Sequence, residues 1–279
     1  MLRYTPVVPA PVDVSSHVLA NHRLSDLYNV IELEAPDIGR SSQPGQFVMV
    51  KTAVGRAPLL RRPFSVFEVL RDSCGTVTGV SLLSKRVGTV TDELHTLEPG
   101  DRLQCLGPLG KPFTIVGPPT RALMVAGGVG LAPFATLAEQ LRARGTDTTL
   151  FYGGRTKSDL YYVELFEQLG VEICLVTEDG TRGEKGRVTK PLEKRLHNSK
   201  AQSMMVYACG PTPMMHVVST LAGKADQPTE VSLEPVMGCG LGGCYSCVVR
   251  VVDDGSHFVR SCLEGPVFRS ERLSWSDLI

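Results

Sequence analysis

The sequence predicts three successive modules: an antiparallel β-barrel, an α/β domain with a parallel sheet, and a small C-terminal module. Short apolar runs separated by turn residues such as Pro44-Gly45 and Pro99-Gly100 indicate the barrel. After residue 118, strand patterns alternate with helix patterns, which is typical of a parallel sheet. A group of cysteines near the C-terminus indicates the third module. We expect the modules at residues 1–115, 116–228 and 229–279.

Length and charge limit the classes of function. A chain of 279 residues is long enough for about two domains and a further small module. Its formal net charge of +0 gives no broad electrostatic reason to expect nucleic acid or an anionic membrane as a partner. The most apolar stretch, residues 122–138, is interrupted by glycines and Pro133, so we expect a buried strand and helix start there and no membrane span.

The cysteines and the N-terminus predict a cytoplasmic location. Residues 1–11 contain three prolines and lack the continuous apolar core of a signal peptide. Cys74, Cys105, Cys174 and Cys209 are scattered along the chain, which favours a reduced compartment over a disulfide framework.

The barrel pattern consists of short strands and one helix. The helix, at residues 89–97, has Val90, Leu94 and Leu97 on one face, which we expect to pack against the barrel. The predicted strands are residues 27–33, 46–52, 64–70, 76–84 and 102–106.

The α/β pattern follows. Its predicted strands are residues 121–126, 148–152, 171–177 and 204–208, and its predicted helices lie near residues 133–143, 160–168, 189–196 and 213–221. Residues 227–231 lead out of this domain towards the cysteine loop.

Arg62-Pro63-Phe64-Ser65 begins a barrel strand with side chains suited to a flavin. The guanidinium of Arg62 can bind a pyrophosphate, the ring of Phe64 offers a flat surface, and Ser65 can donate to the edge of an isoalloxazine. The alternative is an ordinary surface cation beside a strand.

Two glycine segments precede predicted helices. Gly88 and Thr89 open the barrel helix, where free backbone N–H groups suit a phosphate, although an ordinary helix cap is the alternative. Gly127, Gly128 and Gly130 lie between a strand and a helix, where a dinucleotide pyrophosphate can approach the backbone. This segment is not a strict G-x-G-x-x-G, and a tight strand-to-helix turn is its alternative.

Cys209 ends the last predicted strand of the α/β domain, at the edge where open α/β sheets bind ligands. It could face a nicotinamide as a catalytic residue, or it could be a small buried side chain. The acidic residue that binds the ribose of NAD is missing at its usual position, where Arg155 stands. The choice between NAD and NADP therefore stays open, with NAD favoured by the resemblance described below.

Cys239, Cys244, Cys247 and Cys262 have the spacing C-x4-C-x2-C-x14-C, which is the plant-type ligand pattern of a [2Fe–2S] cluster. The glycines of this loop let it bend tightly and turn backbone N–H groups towards the sulfurs. A zinc site is the alternative, but zinc ribbons usually pair C-x2-C with C-x2-C.

The order of these motifs resembles the ferredoxin–NADP reductase superfamily. Its motifs here are Arg-Pro-Phe-Ser at 62–65, Gly-Gly-Val-Gly-Leu-Ala-Pro at 127–133 and Cys-Gly-Pro-Thr-Pro-Met at 209–214. With the cysteine motif and the segments 106–110, 232–234 and 261–268, nearly the whole chain resembles the electron-transfer subunits of class 1B dihydroorotate dehydrogenases.

This resemblance implies an FAD-binding β-barrel, a nucleotide-binding domain that takes a nicotinamide nucleotide and a C-terminal [2Fe–2S] module. The residues carried over to FAD are Arg62, Pro63, Phe64, Ser65, Ser81, Leu82, Leu83, Gly88 and Thr89. The chain departs from the family at Leu82-Leu83, where Tyr-Arg is common, and at residues 86–89, where Gly-x-Gly-Thr is common. Lys85 or Arg86 is then the expected source of the missing positive charge.

The resemblance also implies an oxidoreductase that works with a partner. Electrons from the FMN of a dihydroorotate dehydrogenase catalytic subunit would pass through the [2Fe–2S] cluster and FAD to NAD+ in pyrimidine biosynthesis, in a heterotetramer of two subunits of each kind. The rival functions are the NAD(P)H-binding flavin and iron–sulfur subunit of a bifurcating transhydrogenase or hydrogenase, and a non-catalytic binding module that holds zinc.

Overall fold

A computed structural model describes residues 10–52, 59–198, 202–253 and 255–279 of the chain. Residues 1–9, with which the predicted first module begins, lie outside the described residues. Two seven-stranded sheets and one two-stranded sheet form within the described part. None of the helices in these ranges is both long enough and apolar enough to span a membrane.

The first sheet is antiparallel throughout and confirms the predicted barrel architecture. Its spatial order is β4-β3-β7-β1-β2-β6-β5, and the apolar side chains on its inner face form a closed core. In chain order the strands are β1 (Val12–Arg23), β2 (Tyr28–Glu34), β3 (Phe47–Lys51), β4 (Arg62–Ser65), β5 (Glu68–Arg71), β6 (Val77–Lys85) and β7 (Arg102–Leu109).

Two helices complete this barrel: α1 (Pro36–Ser41) and α2 (Thr89–Thr96). The predicted apolar face of α2 is confirmed, because Val90 and Leu94 are buried in the barrel core and Leu97 packs against it.

Two details of the predicted barrel are wrong. The strand β1 was missed, since its polar residues and the β-bulge between Val18 and Ala20 interrupt the alternation that marks a strand. The predicted strand 64–70 is two strands at opposite ends of the sheet. Between them the chain crosses from one edge to the other, with the Val66 N–H bonded to Gln46 and the Phe67 N–H bonded to Ser81.

The second sheet contains β8 (Arg121–Gly127), β9 (Thr148–Gly154), β10 (Glu172–Thr177), β11 (Glu184–Lys185), β12 (Met204–Cys209) and β13 (Thr229–Ser232). These strands are parallel, in the order β11-β10-β9-β8-β12-β13, which confirms the predicted sheet. The helices that cross over between them are α3 (Phe134–Ala143), α4 (Val163–Gln168), α5 (Thr189–Asn198) and α6 (Thr212–Lys224).

The C-terminal segment returns to this second sheet. After the cysteine loop come the hairpin β14 (Val248–Val251) and β15 (His257–Arg260), the short helix α7 (Ser261–Glu264) and the strand β16 (Val267–Arg269). β16 pairs antiparallel with β13, so the sheet continues past residue 228. The boundary expected at that residue stays a prediction.

The carboxylate of Glu230 on β13 connects the second sheet to the segment between the two large sheets and to the C-terminal strand β16. This carboxylate accepts two hydrogen bonds from Thr114, one from the backbone N–H at 2.8 Å and one from the side-chain hydroxyl at 2.6 Å. Thr114 lies in the connection between the two large sheets, and its carbonyl accepts a 2.6 Å bond from the Tyr207 hydroxyl. Arg269 on β16 lies 3.8 Å from the same Glu230 carboxylate. Because Glu230 is only 5% exposed, these partners take the place of water.

We expect Glu230→Ala to lower the free energy of unfolding by about 3 kcal/mol, because the change leaves buried partners without an acceptor. Urea unfolding followed by far-UV circular dichroism measures this. Glu184→Ala is the matched control, since this exposed carboxylate lies 3.8 Å from Lys194 and its loss should change stability by less than about 0.5 kcal/mol. Equal effects of the two substitutions would contradict the role of Glu230.

Candidate functional site: two adjoining clefts and a cysteine loop

Two clefts lie beside each other at the carboxyl edge of the second sheet. The first, of about 630 Å³, is lined by residues that follow the carboxyl ends of β8, β9, β10 and β12. Open parallel sheets bind their ligands at this edge. The second, of about 520 Å³, lies between β4, the end of β6, the start of α2 and the segment that follows β13.

The second cleft brings together most of the residues expected to bind FAD. Those that line it are Arg62, Pro63, Phe64, Ser65, Leu83, Gly88 and Thr89. They come from a strand, a neighbouring strand end and a helix N-terminus that are separated along the chain. We call this cleft the barrel groove.

Ser81 and Leu82 do not line the barrel groove. Side chains on a strand alternate between its two faces, and Leu82 therefore points into the barrel core while Leu83 points to the groove. Ser81 shares the face of Leu83 but is completely buried, with its hydroxyl 3.4 Å from the carboxylate of Glu68. This placement does not support contacts of these two side chains with FAD, and the assignment of Ser81 and Leu82 stays a prediction.

The start of α2 is held by Thr91. Its hydroxyl accepts hydrogen bonds from the N–H groups of Val87, at 2.8 Å, and Gly88, at 3.1 Å. Gly88, Thr89 and Val90 line the barrel groove beside it. The first turn of a helix leaves N–H groups without intrahelical partners, so this end of the groove suits an anionic phosphate.

Gly127 and Gly128 line the first cleft, as the sequence predicts for a nucleotide site. Gly128 has a φ of +56°, and a β-carbon built on it would meet only the Tyr28 hydroxyl, at 4.0 Å. This glycine therefore supports a left-handed turn and leaves room in the cleft.

Gly130 lies outside the first cleft, which does not support the predicted contact with a nucleotide. It is buried and lines neither cleft, and a β-carbon built on it would lie 2.3 Å from the carbonyl oxygen of Cys209. The absence of a side chain therefore permits close packing between the segment after β8 and the end of β12.

Cys209 does not face either cleft. It is completely buried, and burial raises the pKa of its thiol well above the ordinary value. Its sulfur donates a 3.8 Å hydrogen bond to Glu234, which lines both clefts. This placement does not support Cys209 as a residue in contact with the nicotinamide, and it fits the alternative of a small buried side chain.

Part of the Glu234 residue is exposed to solvent. The protein around its carboxyl group nevertheless shields that group from water, which raises its pKa.

Cys239, Cys244 and Cys247 lie in the C-terminal loop, and Cys262 lies in α7. The pKa values of Cys244 and Cys262 indicate two neighbouring pairs, Cys239 with Cys244 and Cys247 with Cys262. Hydrogen bonds with Ser246, to its hydroxyl at 3.2 Å and to its backbone N–H, lower the pKa of Cys244 to about 6, which favours the thiolate that binds metal. Burial raises the pKa of Cys262 to about 12, so a bound metal must displace its proton.

This arrangement fits a two-iron cluster better than a single metal ion. Among the described residues, no three potential ligands converge closely enough to hold one ion. A zinc site would need four sulfurs at about 2.3 Å from one ion. A [2Fe–2S] cluster takes two ligands at each of two irons, which matches the two pairs.

The cysteine loop packs directly on the barrel. Gly240 has a φ of +73°, and a β-carbon on it would lie 2.5 Å from Met49. Cys247 and Cys262 are buried in one cluster with Phe47, Met49, Leu106, Leu109 and Met237. Met237 and Phe47 also line the barrel groove, so these two side chains separate the groove from the cysteines.

Two family models match the chain. The oxidoreductase NAD-binding domain matches residues 124–220, and the iron–sulfur cluster binding domain of dihydroorotate dehydrogenase B matches residues 234–274. The electron transfer subunit of dihydroorotate dehydrogenase B (NAD(+)) from Desulforamulus reducens is 39% identical over 260 residues, which cover 92% of this chain and 97% of that protein. The chain belongs to the family of dihydroorotate dehydrogenase B electron transfer subunits.

A second member of this family, from Bacillus caldolyticus, is 39% identical over 82% of this chain and 85% of its own length. These matches confirm the predicted family and its oxidoreductase class. They also confirm the expected set of cofactors: FAD, a [2Fe–2S] cluster and NAD.

Solved structures confirm the fold. The NADH-dependent reduced ferredoxin-NADP oxidoreductase, described as a flavin-based electron-bifurcating enzyme, superposes with a TM-score of 0.82 and 28% identity over 94% of this chain and 91% of its own. The ferredoxin reductase of carbazole 1,9a-dioxygenase superposes with a TM-score of 0.65 over 79% of this chain and 68% of its own. At 24% identity, the second likeness concerns the fold alone. The rival bifurcating enzymes therefore share this architecture with the dihydroorotate dehydrogenase B family.

Sequence reasoning missed four charged residues that line the first cleft: Asp159, Glu178, Arg187 and Glu234. Glu178 comes directly after β10, so its place at the carboxyl end of a parallel strand was an available signal. Arg187 follows the two-residue strand β11, which is too short to be recognised from the sequence.

We expect Gly130→Ala to lower the free energy of unfolding by about 2 kcal/mol, since the added carbon overpacks the contact with Cys209. The affinity of the folded protein for NAD+ should stay unchanged, because Gly130 lines neither cleft. Gly117→Ala is the control, as a β-carbon there has open space and stability should change by less than about 0.5 kcal/mol. Chemical denaturation and calorimetric NAD+ titration measure the two quantities. Lost affinity at unchanged stability would contradict the packing role.

Proposed function

We propose that this chain is the electron transfer subunit of an NAD+-dependent dihydroorotate dehydrogenase in pyrimidine biosynthesis. In this proposal a catalytic partner that contains FMN oxidises dihydroorotate and passes the electrons to this chain, which delivers them to NAD+. The observation that carries the proposal is the run of residues 232–239. Ser232, Leu233, Pro235 and Met237 line the barrel groove, Glu234 lines both clefts, and Cys239 is the first predicted cluster ligand.

The barrel groove is proposed to hold FAD. Arg62 provides a cation for the phosphates, and the start of α2 at Gly88 and Thr89 provides backbone donors. Phe64 and Ser65 lie in the same groove and provide a flat apolar surface and a hydrogen-bond donor for the ring system. The first cleft is proposed to hold NAD, with Gly127 and Gly128 beside its pyrophosphate.

The cysteines Cys239, Cys244, Cys247 and Cys262 are proposed to ligate the cluster. When bound, a [2Fe–2S] cluster exchanges single electrons, and a flavin connects such transfers to the hydride chemistry of NAD+. The chain's own contribution is to hold these sites next to each other and to exclude water between them. Met237, which is 4% exposed, fills the space between the groove and the buried pair of Cys247 and Cys262.

The partner is proposed to dock near the exposed part of the cysteine loop. Cys244 is exposed, and beside it the apolar side chains of Leu241 and Tyr245 are 55% and 61% exposed. The complex is proposed to be a cytoplasmic heterotetramer with two subunits of each kind. Co-purification with a catalytic subunit of this class, followed by mass measurement of the complex, tests the stoichiometry.

We expect Cys244→Ser to abolish dihydroorotate-dependent NAD+ reduction in the complex, while the transfer of electrons from NADH to an artificial dye persists. The reason is that the substitution removes a cluster ligand but leaves both clefts unaltered. Both rates are followed by absorbance, with iron and acid-labile sulfide measured on the same samples. Cys74→Ser is the control, since Cys74 is an exposed residue in a barrel turn and should leave both activities at the wild-type level. Retained dihydroorotate-dependent activity in the cluster-free variant would refute the proposed route.

An acidic residue in the lining of the first cleft favours NAD over NADP. Glu178 lies there among the lining residues, together with Arg155 and Arg187. A carboxylate repels the additional phosphate of NADP and can accept a hydrogen bond from the ribose hydroxyls of NAD.

We expect Glu178→Gln to lower the dissociation constant of NADP+ by about tenfold, because it removes like-charge repulsion and leaves the two arginines in place. Glu184→Gln is the matched control: it removes an exposed carboxylate that lies outside the lining of this cleft. Titration calorimetry with NAD+ and NADP+ gives the comparison. An unchanged ratio of the two affinities would exclude Glu178 as the source of the selectivity.

A further inference from the structure

The two clefts share one wall. Lys85, Val129 and Glu234 are the residues that line both of them. Hydride transfer needs the reacting atoms within about 3.5 Å of each other. Two dinucleotides, one in each cleft, can touch each other only where the clefts adjoin. The flavin and nicotinamide rings must therefore meet beside these three side chains.

Lys85 is the cation of this shared wall. It ends β6, and its ammonium nitrogen lies 4.9 Å from the centre of the Tyr28 ring, a cation–π contact. The Tyr28 hydroxyl donates a 2.7 Å hydrogen bond to Asp159. This bond crosses from the barrel to the second sheet and fixes the ring against which Lys85 packs.

Lys85 is not neutralised by a neighbouring acid. Within the described ranges it has no carboxylate partner within 4 Å. Asp159 is close enough to interact with the charge of Lys85. Its carboxylate already accepts hydrogen bonds from the Tyr28 hydroxyl and from the backbone N–H groups of Arg155 and Thr156, the last two at 3.1 and 3.3 Å. The charge of Lys85 therefore acts on whatever occupies the clefts.

The neighbouring arginine does not serve this purpose. Arg86 lines neither cleft, and its guanidinium binds Asp92 at 2.9 Å and the carbonyl of Asp26 at 3.0 Å. Of the two cations that the sequence offers as a replacement for the charge of the family motif, Lys85 alone faces the cofactor sites.

We propose that Lys85 stabilises the reduced flavin electrostatically at the hydride-transfer position. This inference rests on the proposed function, since it needs FAD in the barrel groove and NAD in the first cleft. With FAD bound there, two electrons from the partner and one proton from solvent would form the reduced flavin, which would return both electrons and that proton to NAD+ as a hydride. Reduction adds negative charge to the flavin, and an adjacent ammonium in a partly desolvated cleft favours that charge. Lys85 thereby raises the reduction potential of the bound flavin.

The test is the midpoint potential of FAD in the isolated, FAD-loaded chain, measured by equilibration with redox dyes. In Lys85→Met the ratio of reduced to oxidised flavin at a fixed potential should fall about tenfold, which is about 30 mV for a two-electron couple. Lys85→Arg should restore most of the loss, because it keeps the charge. Lys157→Met is the control: this exposed residue lies outside both linings and its loss should leave the potential unchanged.

An unchanged midpoint potential in Lys85→Met overturns the proposal. This includes the outcome in which the affinity for FAD falls while the potential stays the same, because Lys85 would then only hold the phosphates of FAD. If the methionine variant does not fold, Lys85→Gln provides the same comparison. The measurement needs neither the partner nor NAD+. A wild-type complex that fails to reduce NAD+ with dihydroorotate would contradict the proposed function and leave the result on Lys85 intact.

Discussion

The pairing of β16 with β13 is the interaction on which the arrangement of the sites depends. Because β16 returns antiparallel to the edge of the parallel sheet, the chain between them must leave and re-enter at the carboxyl edge, where the clefts open. The cysteine loop is therefore confined to the side of the barrel, and Gly240 packs against Met49. The buried carboxylate of Glu230 secures the same strand to the connection between the sheets.

Hydrophobic periodicity predicted most of the fold, and it failed where the periodicity itself is interrupted. The parallel strands and α2 give regular signals because their buried positions repeat with the period of the element. β1 carries a bulge, so its alternation changes register within the strand. At residues 64–70 the sequence pattern does not show that the chain changes edges, because Val66 and Phe67 remain buried during the crossing. Composition alone does not reveal such a crossing.

The candidate site was predictable where a motif is also a local structure. Residues 62–65 form the edge strand β4 and residues 127–128 lie at the turn after β8, and both segments line the clefts. Leu82 and Gly130 belong to similar runs, but strand alternation and a close backbone contact turn them inward. Lys85 and Glu234 could not be identified as neighbours, because they are distant along the chain and meet only where the two sheets adjoin.

The positions of the clefts and the cysteines agree with the proposed order of electron transfer. No cysteine lines the first cleft, whereas Met237 lines the barrel groove and packs in the same buried cluster as Cys247 and Cys262. The barrel groove is thus adjacent to both the cysteine loop and the nucleotide cleft. A one-electron carrier and a hydride acceptor cannot exchange electrons directly, because NAD+ accepts electrons in pairs. In the proposed assignment, FAD occupies the groove that adjoins both the cysteine loop and the nucleotide cleft, and this position satisfies the chemical requirement.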